Sequence, residues 1–144
     1  MILAIVSSVI FLDQLSKSFA TRFLQLNTPV SLIKNFLYIT LVHNHGAAFG
    51  MLKNQLFLFV SISFFAILFI FLQLKNKKNP FIFKLSLSLI LAGSAGNLID
   101  RLRFGYVIDF LDLRFWPVFN LADSALTIGA LLLSWELLFN KNVT

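Results

Sequence analysis

A helical membrane protein with four spans and a small β-platform is the fold class this sequence predicts, and three observations carry the prediction. Apolar residues fill 58% of the 144 positions and charged residues only 12%, about half the ~25% charged share of soluble domains. Mean hydropathy is +0.86. Four segments approach or reach the ~20 consecutive apolar residues that a spanning helix needs. A soluble chain this short has no means of hiding so much apolar surface, whereas a bilayer removes the need.

The elements follow in order along one integral membrane domain covering residues 1–144. The first span, about residues 2–23, is interrupted by Asp13 and Lys17, whose i,i+4 spacing lets them pair on one helical face and lowers the cost of burying either. The start of the chain is apolar without a basic n-region or a small-x-small cleavage site, which reads as a retained span and not a cleaved signal. Residues 25–54 form a connection in which Thr28-Pro29 breaks any helix and Phe36-Leu37-Tyr38-Ile39-Thr40-Leu41-Val42 is β-prone, predicting a small sheet or extended platform at the membrane surface. The second span, residues 56–74, carries no charge. The basic loop Lys75-Asn76-Lys77-Lys78-Asn79-Pro80 leads to the third, about residues 81–99, with Lys84 placed to snorkel. Residues 103–117 form a short surface segment, and the fourth span covers about residues 118–139.

Four alternating spans bring the end of the first, the start of the second, the end of the third and the start of the fourth to one membrane face. The polar residues Asp13, Lys17, Asn44, Asn97, Asp100, Arg101, Asp109, Asn120 and Asp123 fall there, so connectivity alone predicts a site at that face. Its side of the membrane stays open. The compact Lys75–Lys78 run favours a cytoplasmic loop, while the raw lysine and arginine count favours the opposite side. The net charge of +6 is spread along or beside apolar spans, which points to anionic lipid as partner and not to nucleic acid. With no cysteines, disulfides, thiolate nucleophiles and Cys-based metal sites are excluded.

Three stretches carry chemistry. Gly93, Gly96, Asn97, Asp100 and Arg101 recur at helical spacing and share one face. The small residues permit close helix packing, and the polar ones need partners away from lipid. Asn120, Asp123, Ser124 and Thr127 repeat the pattern in the fourth span. An ionised carboxylate at Asp123 costs roughly 2.5–3.5 kcal/mol if it lies within the hydrocarbon, so an acid there marks function by default. Asp109, between Val107-Ile108 and Phe110, is its companion. Two carboxylates sharing a site hold one proton between them, giving the acid and base that amide hydrolysis by an activated water requires. Asp112 is the rival, expected to form a solvated ion pair with Arg114.

Other readings are weaker. His43 and His45 without an HExxH pattern make a poor metal site. Asn44-His45-Gly46-Ala47-Ala48-Phe49-Gly50 reads as a tight turn entering the second span, open to close approach by a backbone or ligand. Ser16-Lys17 is a poor dyad because adjacent helical residues point apart, and Ser124 has no histidine in reach. A small proton-coupled transporter using Asp13, Asp100 and Asp123 as relays would need polar residues through the full membrane depth, yet the body of the second span offers only Ser61 and Ser63, with Gln73 at its end. A non-catalytic scaffold explains the glycine seam but not two acids beside Asn and Arg.

The five blocks Asp13-Gln14-x-x-Lys17, Asn44-x-Gly46-Ala47-Ala48-Phe49, Gly93-x-x-Gly96-Asn97-x-x-Asp100-Arg101, Val107-Ile108-Asp109-Phe110 and Phe119-Asn120-x-Ala122-Asp123-Ser124 together resemble bacterial lipoprotein signal peptidase (signal peptidase II). The resemblance spans nearly the whole chain. It implies an aspartic endopeptidase that removes signal peptides from prolipoproteins bearing a diacylglyceryl cysteine, uses no cofactor or metal, and is blocked by the cyclic peptide globomycin. It puts catalysis on Asp109 and Asp123, substrate binding on Asn44, Gly46, Asn97, Arg101 and Asn120, and support on Asp13, Lys17 and Asp100. It further implies a protein of the bacterial inner membrane with both termini cytoplasmic and the site and β-platform near the outer, extracytoplasmic leaflet; since one chain could contain the whole site, a monomer working among membrane lipids is expected. The chain departs in having Ala92-Gly93 where Gly-Gly is usual and His45 where Thr is common, changes that bear on local packing and inhibitor fit.

Overall fold

The computed structural model describes residues 1–46, 55–74 and 79–139. Ala47 to Gly50 of the turn entering the second span, the basic run at 75–78 and the tail at 140–144 lie outside the described residues. Four helices are long and apolar enough to cross a membrane: α1 (Ile2–Phe23), α2 (Leu56–Leu74), α3 (Phe81–Phe104) and α4 (Leu121–Phe139). Three strands, β1 (Val30–Ile33), β2 (Leu37–Asn44) and β3 (Val107–Asp112), form one antiparallel sheet in the order β1-β2-β3.

α3 is the central helix, packed against α1, α2 and α4. Its glycines permit this. A Cβ on Gly96 would stand 2.6 Å from Asp13 Oδ2, and one on Gly93 would strike the backbone carbonyl of Ala122 in α4. The small residues therefore serve as the packing seam expected of them. At the far end of the bundle Ile70, Leu74 and Leu87 form an apolar cluster with Ile2, Phe83 and Leu133 around it. At the sheet end Ala20 of α1 packs with Leu41, Ile108 and Phe110. Large apolar side chains such as Leu3, Phe57, Phe65 and Leu131 stay exposed on the helices, where hydrocarbon replaces a protein core.

Two helix ends differ from the sequence reading. α3 continues to Phe104, five residues beyond position 99, because Asp100 is not at an interface but fully buried. Gly105 then ends it in the left-handed region at φ 81°, which only glycine adopts without strain. α4 starts at Leu121, three residues past 118, because the chain before it pairs with β3. Phe119 N–H donates to Leu111 O at 3.0 Å, and Leu111 N–H donates to Phe119 O at 2.8 Å. The surface segment between α3 and α4 thus contains a strand. Its alternation sends Ile108 and Phe110 toward α1 and Asp109 toward the other side.

Candidate active site

α4 opens with a reciprocal cap. Asn120 Oδ1 accepts from Asp123 N–H at 2.8 Å, and Asp123 Oδ2 accepts from Asn120 N–H at 3.2 Å. An N-cap residue and the residue three along thereby satisfy two otherwise unpartnered backbone donors. The cap fixes Asp123 in the first turn of α4, where the helix dipole favours a carboxylate. The fully buried Asn120 amide also donates to Asp109 Oδ1 at 2.7 Å. One side chain therefore meets the Asp109 carboxylate and the Asp123 backbone.

Asp109 is held from the sheet as well. In β2, Asn44 sits opposite Val107, and Val42 opposite Asp109, so Asn44 reaches Asp109 diagonally and donates to its Oδ2 at 2.9 Å. Asn44 Oδ1 accepts from Gly46 N–H at 3.0 Å, an Asx turn that aims the amide. Asn97 of α3 donates to Asp123 Oδ1 at 2.8 Å. Both acids, with Asn44, Gly46, Asn97 and Arg101, line one cavity of about 290 Å³. Burial, and then the charge of Asp123, push the Asp109 carboxyl up to about 7, although Asn44, Asn120 and Lys17 pull the other way.

Beneath the cavity lies a closed polar network. Lys17 Nζ meets Asp13 Oδ2 at 2.9 Å, Asp100 Oδ2 at 2.8 Å and Asn97 Oδ1 at 3.1 Å, so all three ammonium protons are used. Asp13 Oδ1 accepts from Ala122 N–H at 2.9 Å, and Asp100 Oδ2 from Ile108 N–H at 3.1 Å. Gln14 donates to Asp100 Oδ1 at 2.9 Å. Asp13, Lys17 and Asp100 thus tie α1, α3, β3 and α4 together. Every fully buried side-chain nitrogen or oxygen among the described residues has a partner.

Asp112 does meet Arg114, at 3.1 Å, but its side chain is only 7% exposed, and Thr40 Oγ1 donates to it at 2.7 Å. The expected solvated pair is therefore corrected to a buried carboxylate, because β2–β3 pairing lays Thr40 over it. Burial works against its charge, yet the donors from Thr40 and Arg114 win and hold the carboxyl below its usual range. Ser16 Oγ donates to Asp13 O and Ser124 Oγ to Asn120 O, while Lys17 is committed elsewhere, so neither serine is poised as a nucleophile. His43 stacks on Tyr106 at 4.0 Å between centroids, and His45 tilts against the same ring at 5.2 Å. Burial, then His45, lowers the His43 pKa.

Sequence reasoning overlooked some contributors. The N-x-x-D pattern at Asn120 was a legible helix-start signal. Gln14 lay inside a quoted block without a role. Nothing in the sequence pointed to Phe59, whose ring lies 4.9 Å from the Arg101 guanidinium carbon, or to Trp116 in the cavity wall.

The family described as signal peptidase (SPase) II matches residues 5–139. The chain belongs to this family. Its lipoprotein signal peptidase relatives include one from Moorella thermoacetica, 48% identical over 132 residues with 90% of this chain and 87% of that protein covered. Another, from Halothermothrix orenii, is 44% identical with 92% of each covered. A third, from Staphylococcus carnosus, is 37% identical with 96% and 91% covered. A solved bacterial membrane enzyme, determined in meso at 2.3 Å, superposes with a TM-score of 0.91 at 32% identity, covering 97% of this chain and 90% of its own. This member of the signal peptidase II family is thus a four-span bundle with a three-stranded sheet at one end, a multi-pass membrane peptidase.

Proposed function

We propose that this chain removes the signal peptide from lipidated prolipoproteins by aspartic catalysis, with Asp109 and Asp123 sharing one proton. The observation that carries the reading is the placing of both acids on the wall of one cavity, tied through Asn120, whose side chain donates to the Asp109 carboxylate and accepts from the Asp123 backbone N–H. Membership of the signal peptidase II family supports the substrate class, and nothing in the structure favours the transporter alternative.

In the proposed reaction the ionised acid takes a proton from a water between the carboxyls, and that water attacks the scissile carbonyl. The protonated acid then donates to the leaving amine. A carboxyl titrating near 7 at Asp109 suits either half of that exchange at neutral pH. Asn97, Asn120 and Asn44 fix the acids' positions so that little reorganisation is needed. Arg101 faces the cavity as the binding cation, and Gly46 leaves room for the substrate backbone. Asp13, Lys17 and Asp100 support the floor. No metal or cofactor enters the scheme.

By this reading the chain lies in the bacterial inner membrane, works as a monomer among lipids, and has its site near the outer leaflet with both termini in the cytoplasm. The test is cleavage of a diacylglyceryl-modified precursor by purified protein. Asp109→Asn and Asp123→Asn are each expected to lower turnover by roughly 10³-fold or more, since each removes a reacting group, while the protein stays folded. Near-normal turnover by either variant, or insensitivity of the wild type to globomycin, would count against the proposal.

A further inference from the structure

Arg101 lies among acids and pairs with none of them. It lines the same cavity as Asp109 and Asp123. Yet among the described residues neither acid forms an ion pair with it, and Lys17 takes Asp13 and Asp100 while Arg114 takes Asp112. Its partner is an aromatic face, with the guanidinium carbon 4.9 Å from the Phe59 ring centroid.

Phe59 sits in the first turn of α2, at the end of the bundle that holds the cavity. Its neighbour Phe57 is 85% exposed, as befits a lipid-facing side chain, whereas Phe59 is half-buried and turned toward α3. Apart from Ser61, Ser63 and Gln73, α2 is apolar and packs on α3, and its Phe59 ring reaches a side chain of the site.

We propose that Phe59 is a positioning residue: its ring holds the Arg101 guanidinium at the cavity rim, free for substrate and off the two acids. The claim deepens the aspartic reading of the same site. A guanidinium that folded onto Asp109 or Asp123 would form a charge-assisted, bidentate contact. That contact would favour the doubly ionised acids and remove the proton the reaction needs. It would also withdraw the cation from substrate. A cation–π contact shifts such an equilibrium by roughly 2- to 30-fold, enough to choose between the two placements.

Asp109 is the reporter. The groups around it are Asp123 of α4, Lys17 of α1, Arg101 of α3 in the same cavity wall, Asp100 of α3 on the neighbouring Ile108 N–H, and the donors Asn44 and Asn120, while His43 stacks on Tyr106 and His45 tilts against it. Of these, Arg101 is the cation with freedom to move, because Lys17 is fully engaged.

The experiment compares wild type, Phe59→Leu and Phe59→Trp by ¹³C-carboxyl titration of Asp109 in micelles, alongside KM and the pH profile for a lipidated precursor. Phe59→Leu should lower the Asp109 midpoint, move the alkaline limb of kcat/KM to lower pH with it, and raise KM roughly 2- to 30-fold. Phe59→Trp should behave as wild type. In an Arg101→Gln background, Phe59→Leu should shift nothing. Where Phe59→Leu does not accumulate folded, Phe59→Met carries the same test. An unchanged Asp109 midpoint in Phe59→Leu, equal damage from Phe59→Trp, or an undiminished shift without Arg101 overturns the proposal. A wild type that cleaves no precursor would sink the proteolytic reading, while the carboxyl titration still decides the positioning claim.

Discussion

Lys17 shows how a charge survives in a membrane helix. It is 1% exposed, and its three protons meet Asp13, Asp100 and Asn97. Removing one partner of a buried ionic cluster strands the others and costs about 3–5 kcal/mol. Lys17→Met should therefore lower thermal stability in detergent by about that amount. Lys17→Met with Asp100→Asn, which leaves the cluster's net charge as it was, should recover part of the loss. Equal instability of both variants would show that charge balance is not what the lysine supplies. The i,i+4 spacing announced the Asp13 contact, since it is local. The partners Asp100 and Asn97 lie more than 75 positions away, where no spacing rule reaches.

The cap on α4 and the β2–β3 ladder bring the two acids together, and each can be tested apart. Asn120→Ala removes the cap, worth about 0.5–2 kcal/mol, and also the donor shared with Asp109. Its loss of turnover should thus far exceed its loss of stability, read by a cleavage assay beside thermal unfolding. Asp112 tests the ladder. Its carboxyl is held below the ordinary range by Thr40 and Arg114. Its contribution is then complete above the unfolded value of about 3.9 and is lost as pH falls through the lower folded value. Asp112→Asn should destabilise at pH 7, and the gap should narrow as pH falls below the unfolded value of about 3.9. The two helix ends placed wrongly from the sequence are instructive here. Hydropathy marks where lipid contact stops, so it ended α3 at Asp100, but buried partners let the helix continue through it. It likewise could not see that Phe119 pairs with Leu111 before α4 begins.

At the scale of the molecule, the four spans place β1–β2 and the acids at one end, and Asn79 at the other. The proposed orientation makes this measurable, because the chain has no native cysteine. A cysteine at Lys34 should react with a membrane-impermeant maleimide in intact cells, and one at Asn79 only after permeabilisation. The reverse pattern would invert the topology.

Composition and hydropathy determined by themselves that this chain crosses the membrane four times, because the cost of exposing or burying apolar surface is summed over local sequence. Connectivity then gathered the polar residues at one end, and their five blocks named the family. Only the tertiary structure decided the rest: that Asn120 ties Asp109 to the cap of α4, that Asp112 is buried under Thr40, that Lys17 is saturated, and that Arg101 leans on Phe59. Those are distances between residues far apart in the chain, set by helix packing through Gly93 and Gly96 and by strand register, and neither is written in any local stretch of sequence.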